Sequence, residues 1–153
     1  TGEGRTAPHH GRLFEVRRKP GTNIFRPRSD KHPDDEMPDG LLVVRVLGRI
    51  YFANASNVGA IVRELVDARN PRELILDCSA IPDFEYTALL GLVEFEAKMP
   101  KKGVRLVMAA LNPEARSMVN RTAIGAILAE SNGLLPTVEI AVDKYTQGLS
   151  EKS

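Results

Sequence analysis

Tryptophan is absent from this 153-residue chain, cysteine occurs once, and aromatic residues make up only 5%. A single thiol, Cys78, excludes an intramolecular disulfide and a cysteine-rich zinc site. Charge of one sign is also scant. The 21 Lys and Arg against 20 Asp and Glu leave a net charge of +1, without the basic excess of a dedicated nucleic-acid binder. No apolar run approaches the ~18 residues of a membrane span. The longest, Thr87 to Val93, is short enough for a core segment. The opening TGEGRTAPHHGR lacks the apolar stretch of a secretory signal. All three histidines, His9, His10 and His32, precede residue 40. The remaining chain therefore has no Ser-His-Asp set, and it also has no Walker loop and no G-x-G-x-x-G. His9-His10 is a lone pair, short of the converging ligands of a metal site.

What is present changes character at Gly40. Five of the ten prolines lie before it, and regular apolar periodicity follows it. Residues 1–12 are small and polar, a composition that predicts disorder. Residues 13–40 read as a lead-in segment with a short strand at Leu13 to Val16, a turn at Lys19-Pro20-Gly21 and a charged loop from Asp30 to Asp39. The main domain spans residues 41–147, and residues 148–153 read as a disordered tail. Leu41 to Val46 is a buried strand, and Ile50 to Ala53 reads as its hairpin partner. Val58, Ile61, Val62, Leu65 and Val66 mark one stripe of a helix capped by Asn54 or Ser56 and stopped at Asn70-Pro71. Strands at Leu74 to Leu76 and Val104 to Ala109 alternate with helices from Thr87, from Asn112-Pro113-Glu114 to about Ile124, and from Pro136-Thr137. Gly125 reads as the stop of the third helix. Strands alternating with helices predict an α/β layer fold with a mixed, mostly parallel sheet of about 4–5 strands and 4–5 helices.

The informative segment is LILDCSAIPDFEYTALLGL, from Leu74 to Leu92. A buried strand ends at Asp77, a loop follows, and Thr87 falls at the start of the next helix. Free backbone N–H groups and the helix dipole make such a place favourable for an anion. A plain N-cap role for the Thr87 hydroxyl accounts for the same spacing, at about 1 kcal/mol. Asp83 and Glu85 form an acidic pair, but no histidine or phosphate cradle stands near them in sequence. Cys78, following a buried strand, reads as a small core residue.

This segment resembles the STAS domain, shared by SulP anion transporters and bacterial anti-sigma factor antagonists. Asp77-Cys78-Ser79 matches the Asp-x-Ser strand end. Glu85-Tyr86-Thr87-Ala88 occupies the helix-opening stretch, with Thr87 at the phosphorylatable hydroxyl of the antagonists. Glu85, Tyr86 and Ala88 replace the Asp, Ser and Gly usual there, which is closer to the transporter branch. Three further stretches resemble that branch: PGTNIFR from Pro20 with His32-Pro33, GLLVVRVLGRIYFANA from Gly40, and LNPEARSMVNRTAIG from Leu111. The resemblance covers Leu13 to Tyr145.

It implies a non-enzymatic cytoplasmic regulatory or assembly domain of a sulfate- or bicarbonate-class transporter in a bacterial inner membrane. The chain, which begins with Thr1, is then expected to be a piece of a longer protein whose membrane domain is its partner and whose parent is a homodimer. Asp77, Ser79, Asp83, Glu85, Tyr86 and Ala88 around Thr87 are the expected contact surface for that or another regulatory protein. Arg17, Arg18 and Lys19 are candidates for anionic headgroups. No metal and no cofactor are expected. The alternatives are a free-standing antagonist switched at Thr87 and a module that binds purine nucleotide weakly at the same loop.

Overall fold

In a computed structural model the described residues are 12–152. The tail expected to be disordered, residues 1–12, falls outside them except for Arg12. That residue is tied down: its carbonyl accepts the Leu47 N–H at 2.6 Å, and its guanidinium donates to the Arg49 carbonyl at 2.8 Å.

The chain forms a six-stranded sheet, one strand more than the upper end of the sequence reading. In chain order the elements are β1 (Leu13–Arg18), β2 (Phe25–Pro27), β3 (Leu41–Val46), α1 (Phe52–Arg69), β4 (Glu73–Asp77), α2 (Tyr86–Lys98), β5 (Arg105–Ala109), α3 (Pro113–Asn120), α4 (Ala123–Glu130), β6 (Leu134–Leu135) and α5 (Val138–Lys152). The spatial order is β2-β1-β3-β4-β5-β6. Strands β3 to β6 are parallel, and β1 and β2 add antiparallel pairings at one edge. The strand expected at Leu13 to Val16 is thus a sheet strand, and β2, which follows the turn at Lys19-Pro20-Gly21, supplies the edge. The short β6 closes the other edge.

Helices cover both faces, which explains why β4, ELILD, is buried at every position. Leu42, Val44, Leu74, Leu76, Leu106 and Met108 face the larger core under α1 to α4. Val43, Ile75 and Val107 face the smaller core under α5. Each such side chain contributes about 1.5–3 kcal/mol by leaving water. All five stripe residues of α1 are buried as predicted.

Several boundaries differ from the sequence reading. Ile50 to Ala53 is not a hairpin strand. Tyr51 is the extended residue before α1, and its N–H donates to the Asn54 Oδ1 at 3.0 Å. The helix therefore starts two residues after Ile50, which itself makes one isolated parallel bridge to Phe84. The helix predicted from Asn112 to Ile124 is two helices broken at Arg121-Thr122. The Thr122 hydroxyl donates to the Val119 carbonyl at 2.8 Å instead of letting the first helix continue. Gly125, expected as a stop, lies inside α4, where an added Cβ would sit 2.6 Å from the Val119 carbonyl oxygen. Residues 148–152, expected as a disordered tail, extend α5. Tyr145 and Leu149 are partly buried at i and i+4, and this continues its inner stripe.

Candidate functional site

Three loops meet at the carboxyl ends of β3, β4 and β5. In a parallel sheet this is where binding surfaces concentrate. The loop after β4, residues 78–85, is held from both sides. Ala80 O accepts from Gly48 N at 2.9 Å and Asp83 O from Ile50 N at 3.2 Å, while Glu85 N donates to Ile50 O at 2.8 Å. From the β5 side, Asn112 Nδ2 donates to the Pro82 carbonyl at 3.0 Å, while its Oδ1 caps α3 by accepting from Ala115 N at 2.7 Å. Ala110, just before it, has φ of 65°, an unusual conformation for alanine that turns the chain toward this contact. Ile81 and Phe84 plug the loop into the main core. The loop is therefore a fixed ledge on the sheet.

Asp77 is not on the surface of that ledge. Its side chain is 1% exposed, and Arg45 Nε of the neighbouring strand approaches its Oδ2 at 2.6 Å. Its other oxygen accepts the Ser79 N–H at 3.0 Å. Arg45 in turn lies over the Phe14 ring at 5.5 Å. Asp77 is thus a structural brace, and its expected place in the contact surface is corrected: a carboxylate ending a central strand is buried by the layers on either side. Cys78 is fully buried, as read from the sequence. Burial, with the Asp77 carboxylate adding to it, pushes its thiol far above the ordinary range and leaves it protonated. Ala88 is buried too, packed into the main core.

The outer face of the ledge carries the rest. Ser79 and Thr87 are exposed, and Tyr86 is 49% exposed. Asp83 pairs with Arg49 at 2.9 Å, and Arg49 also lies 6.0 Å from the Tyr51 ring. Thr87 is not the N-cap. The cap position is Glu85, because the contact to Ile50 ends the extended chain there and α2 begins at Tyr86. The Thr87 hydroxyl donates to the Glu85 carboxylate at 2.7 Å. Exposed Tyr51, Tyr86 and Leu90 add apolar surface around Thr87. Beside them an open cleft of about 490 Å³ runs between α1 and α2, with Gly59, Val62 and Phe95 among its walls. Chemically, this is a rigid, mixed apolar and polar surface that presents the Ser79 and Thr87 hydroxyls.

Arg17, Arg18 and Lys19 stand at the opposite end. The pairing of Glu15 with Val44 runs β1 antiparallel to β3, so its last residues lie near the amino end of β3. Arg17 is engaged there with Glu15 and with the Asp35 carbonyl. The structure therefore does not join this cluster to the Thr87 surface. The sequence reading missed Arg49, Tyr51, Leu90 and the second role of Asn112. Only Asn112 had a signal, as a helix cap. Among the described residues no group of three or more His, Cys, Asp or Glu is placed to hold a metal, and no helix is long and apolar enough to cross a membrane.

A family model of the STAS domain matches residues 32–141. The chain belongs to the STAS domain family. High affinity sulfate transporter 1 of Stylosanthes hamata is 26% identical to this STAS domain in a 136-residue alignment that covers 82% of the chain and 20% of the transporter. Sulfate transporter 1.2 of Arabidopsis thaliana is 26% identical over 143 residues. The STAS domain thus spans about a fifth of the length of the curated relatives it matches. Among solved structures, the murine Solute Carrier 26 family member A9 anion transporter superposes with a TM-score of 0.79 at 16% identity, over 90% of this chain and 22% of that one. An anti-sigma factor antagonist from Mycobacterium paratuberculosis superposes at 0.57 with 26% identity, over 71% of this chain and 88% of that one. The α/β fold read from the sequence is the STAS fold, with the larger strand count given above.

Proposed function

We propose that this STAS domain is the cytoplasmic regulatory and assembly domain of an inorganic anion transporter of the sulfate or bicarbonate class. Its identity with plant sulfate transporters over 82% of its length carries the reading. The parent transporter sits in a bacterial inner membrane as a homodimer, and its membrane domain is the principal partner of this one. The domain performs no catalysis and needs no cofactor. It acts through protein contacts at the ledge presented by Ser79, Asp83, Glu85, Tyr86 and Thr87.

The fixed backbone of the ledge supports that role, because a pre-ordered surface loses little conformational entropy on docking. A phosphate on Thr87 would add about −1.5 to −2 charge beside Glu85 and Asp83. The hydrogen bond from Thr87 to Glu85 would be replaced by repulsion, so phosphorylation would weaken a partner fitted to the unmodified ledge. The test is anion uptake by the full transporter carrying Tyr86→Ala, or Thr87→Glu to mimic the modification. Reduced uptake or assembly at normal expression is expected of both variants. Unchanged uptake and assembly in both would exclude the ledge as a contact surface.

The antagonist structure at 26% identity favours one other reading, a soluble partner-switching protein acting through the same hydroxyl. Under that reading a serine kinase modifies Thr87 directly, and incubation with the kinase would show it.

A further inference from the structure

At the end of the sheet away from the ledge, three guanidinium groups converge on one buried carboxylate. The Glu15 side chain is only 5% exposed. Arg69, the last residue of α1, reaches its Oε1 with Nε and Nη2 at 2.9 Å each. Arg28 Nη1 lies 3.3 Å and 3.2 Å from the two oxygens. Arg17 Nε is 3.8 Å from Oε2, too far for a hydrogen bond, and this buried N–H has no other hydrogen-bond partner. Next to them Arg26 is held by Asp35 through two bonds of 2.7 Å. Four guanidiniums thus face two carboxylates, and two positive charges remain. The carbonyls at the end of α1 offset only part of this.

Glu15, Arg17 and Arg69 line a polar pocket of about 190 Å³ whose other walls include Met37, Gly40 and Pro71. Its volume equals roughly six waters at about 30 Å³ each, enough for one tetrahedral oxyanion. Asp39 at the rim does not fill it, because its carboxylate is 96% exposed and pairs outward with Arg72 at 3.5 Å. A single carboxylate cannot serve three planar, multidentate donors at once. The buried unbonded N–H of Arg17 shows where the shortfall lies.

We propose that this pocket binds a tetrahedral oxyanion of the phosphate or sulfate class between Arg17 and Arg69, with Glu15 as the internal anion that holds the arginines in place and competes with the ligand. The pocket lies at the opposite end of the sheet from the ledge, and its chemistry does not depend on the transporter reading. A phosphate-class group reaches the pocket either as the free ion or on an anionic lipid.

The test is titration of the 153-residue chain with sodium phosphate and sodium sulfate, against sodium chloride at matched ionic strength. The arginine Nε–H signals in the NMR spectrum are the readout. Saturable shifts at Arg17 and Arg69 are expected with both oxyanions and not with chloride. Arg17→Gln, which removes the weakest of the three contacts to Glu15, leaves the chain folded and weakens binding about tenfold. Glu15→Gln lowers stability, and phosphate or sulfate restores its thermal midpoint by more than it raises that of the wild type. Phosphatidylcholine vesicles with and without phosphatidic acid separate the two sources. Saturable capture by phosphatidic acid, lost in Arg17→Gln, with no saturable response to the free ions, assigns the lipid-borne group. Shifts that fail to saturate, that chloride reproduces, or that survive Arg17→Gln unchanged, with no such lipid capture, overturn the proposal.

Discussion

Replacing Asp77 by Asn tests whether this residue braces the sheet or belongs to the contact surface. Asn keeps an oxygen for the Ser79 N–H, which Asp77 accepts at 3.0 Å, but removes the negative charge that meets Arg45 at 2.6 Å. A hydrogen bond between charged groups contributes about 1.5–3 kcal/mol. The upper end is discounted here, because the Arg45 side chain is 24% exposed and regains some hydration when its partner is neutralised. The contact with Phe14 also remains. The expected loss is about 2 kcal/mol, or roughly 4–8 °C in the thermal midpoint for a domain of this size. Urea unfolding followed by circular dichroism should show a lower midpoint at an unchanged slope. Arg45→Met combined with Asp77→Asn should cost less than the two single changes added together. A single Asp77→Asn variant within about 0.5 kcal/mol of wild type, a typical surface effect, would refute the brace.

Gly91 and Gly125 should respond to alanine with opposite signs. At Gly91 in α2 an added Cβ meets nothing within 4 Å, so Gly91→Ala should stabilise by about 0.5–1 kcal/mol. At Gly125 it meets the backbone of Val119 and Asn120 at 2.6–2.9 Å, and Gly125→Ala should destabilise by about 1–3 kcal/mol; thermal unfolding of both variants checks the signs. Cys78, buried and held protonated, should not react with a thiol reagent at pH 8 until urea unfolds the chain. The hydrogen bonds from Arg26 hold the Asp35 carboxyl below its ordinary value. Its stabilising contribution is therefore complete above the unfolded value near 4 and is lost as pH falls through the lower folded value. Asp35→Asn should flatten the acid limb of a stability–pH curve below about pH 4 and leave its shape above pH 6 unchanged.

The parts of the fold that were legible are those fixed by local pattern. The all-apolar β4, the stripe of α1 and the Asn112-Pro113-Glu114 helix start depend on neighbours within a turn or two. The misread parts depend on contacts distant in sequence, or on cap signals weaker than a competing pattern. Ile50 to Ala53 has strand composition, but the Asn54 side chain captures the Tyr51 N–H and starts a helix. The start of α2 moved from Thr87 to Tyr86 because Ile50 holds Glu85 in an extended conformation. That contact is 35 residues away in sequence and leaves no local trace. The break at Thr122 did have a signal, a threonine before an apolar run, outweighed by the apolar continuity on either side. In the candidate site, Thr87, Tyr86 and Ser79 were found at the surface, whereas the burial of Asp77 and Ala88 needed the stacked layers. The arginine cluster on Glu15 could not be read from the sequence, since Arg69 lies 54 residues from its partner.

The most direct test of the central claim, a domain belonging to an anion transporter, is the coding sequence upstream of Thr1. A transporter domain requires several hundred in-frame codons there, containing apolar spans of ~20 residues. A start codon at or just before Thr1 would contradict it and leave the soluble partner-switching reading in its place.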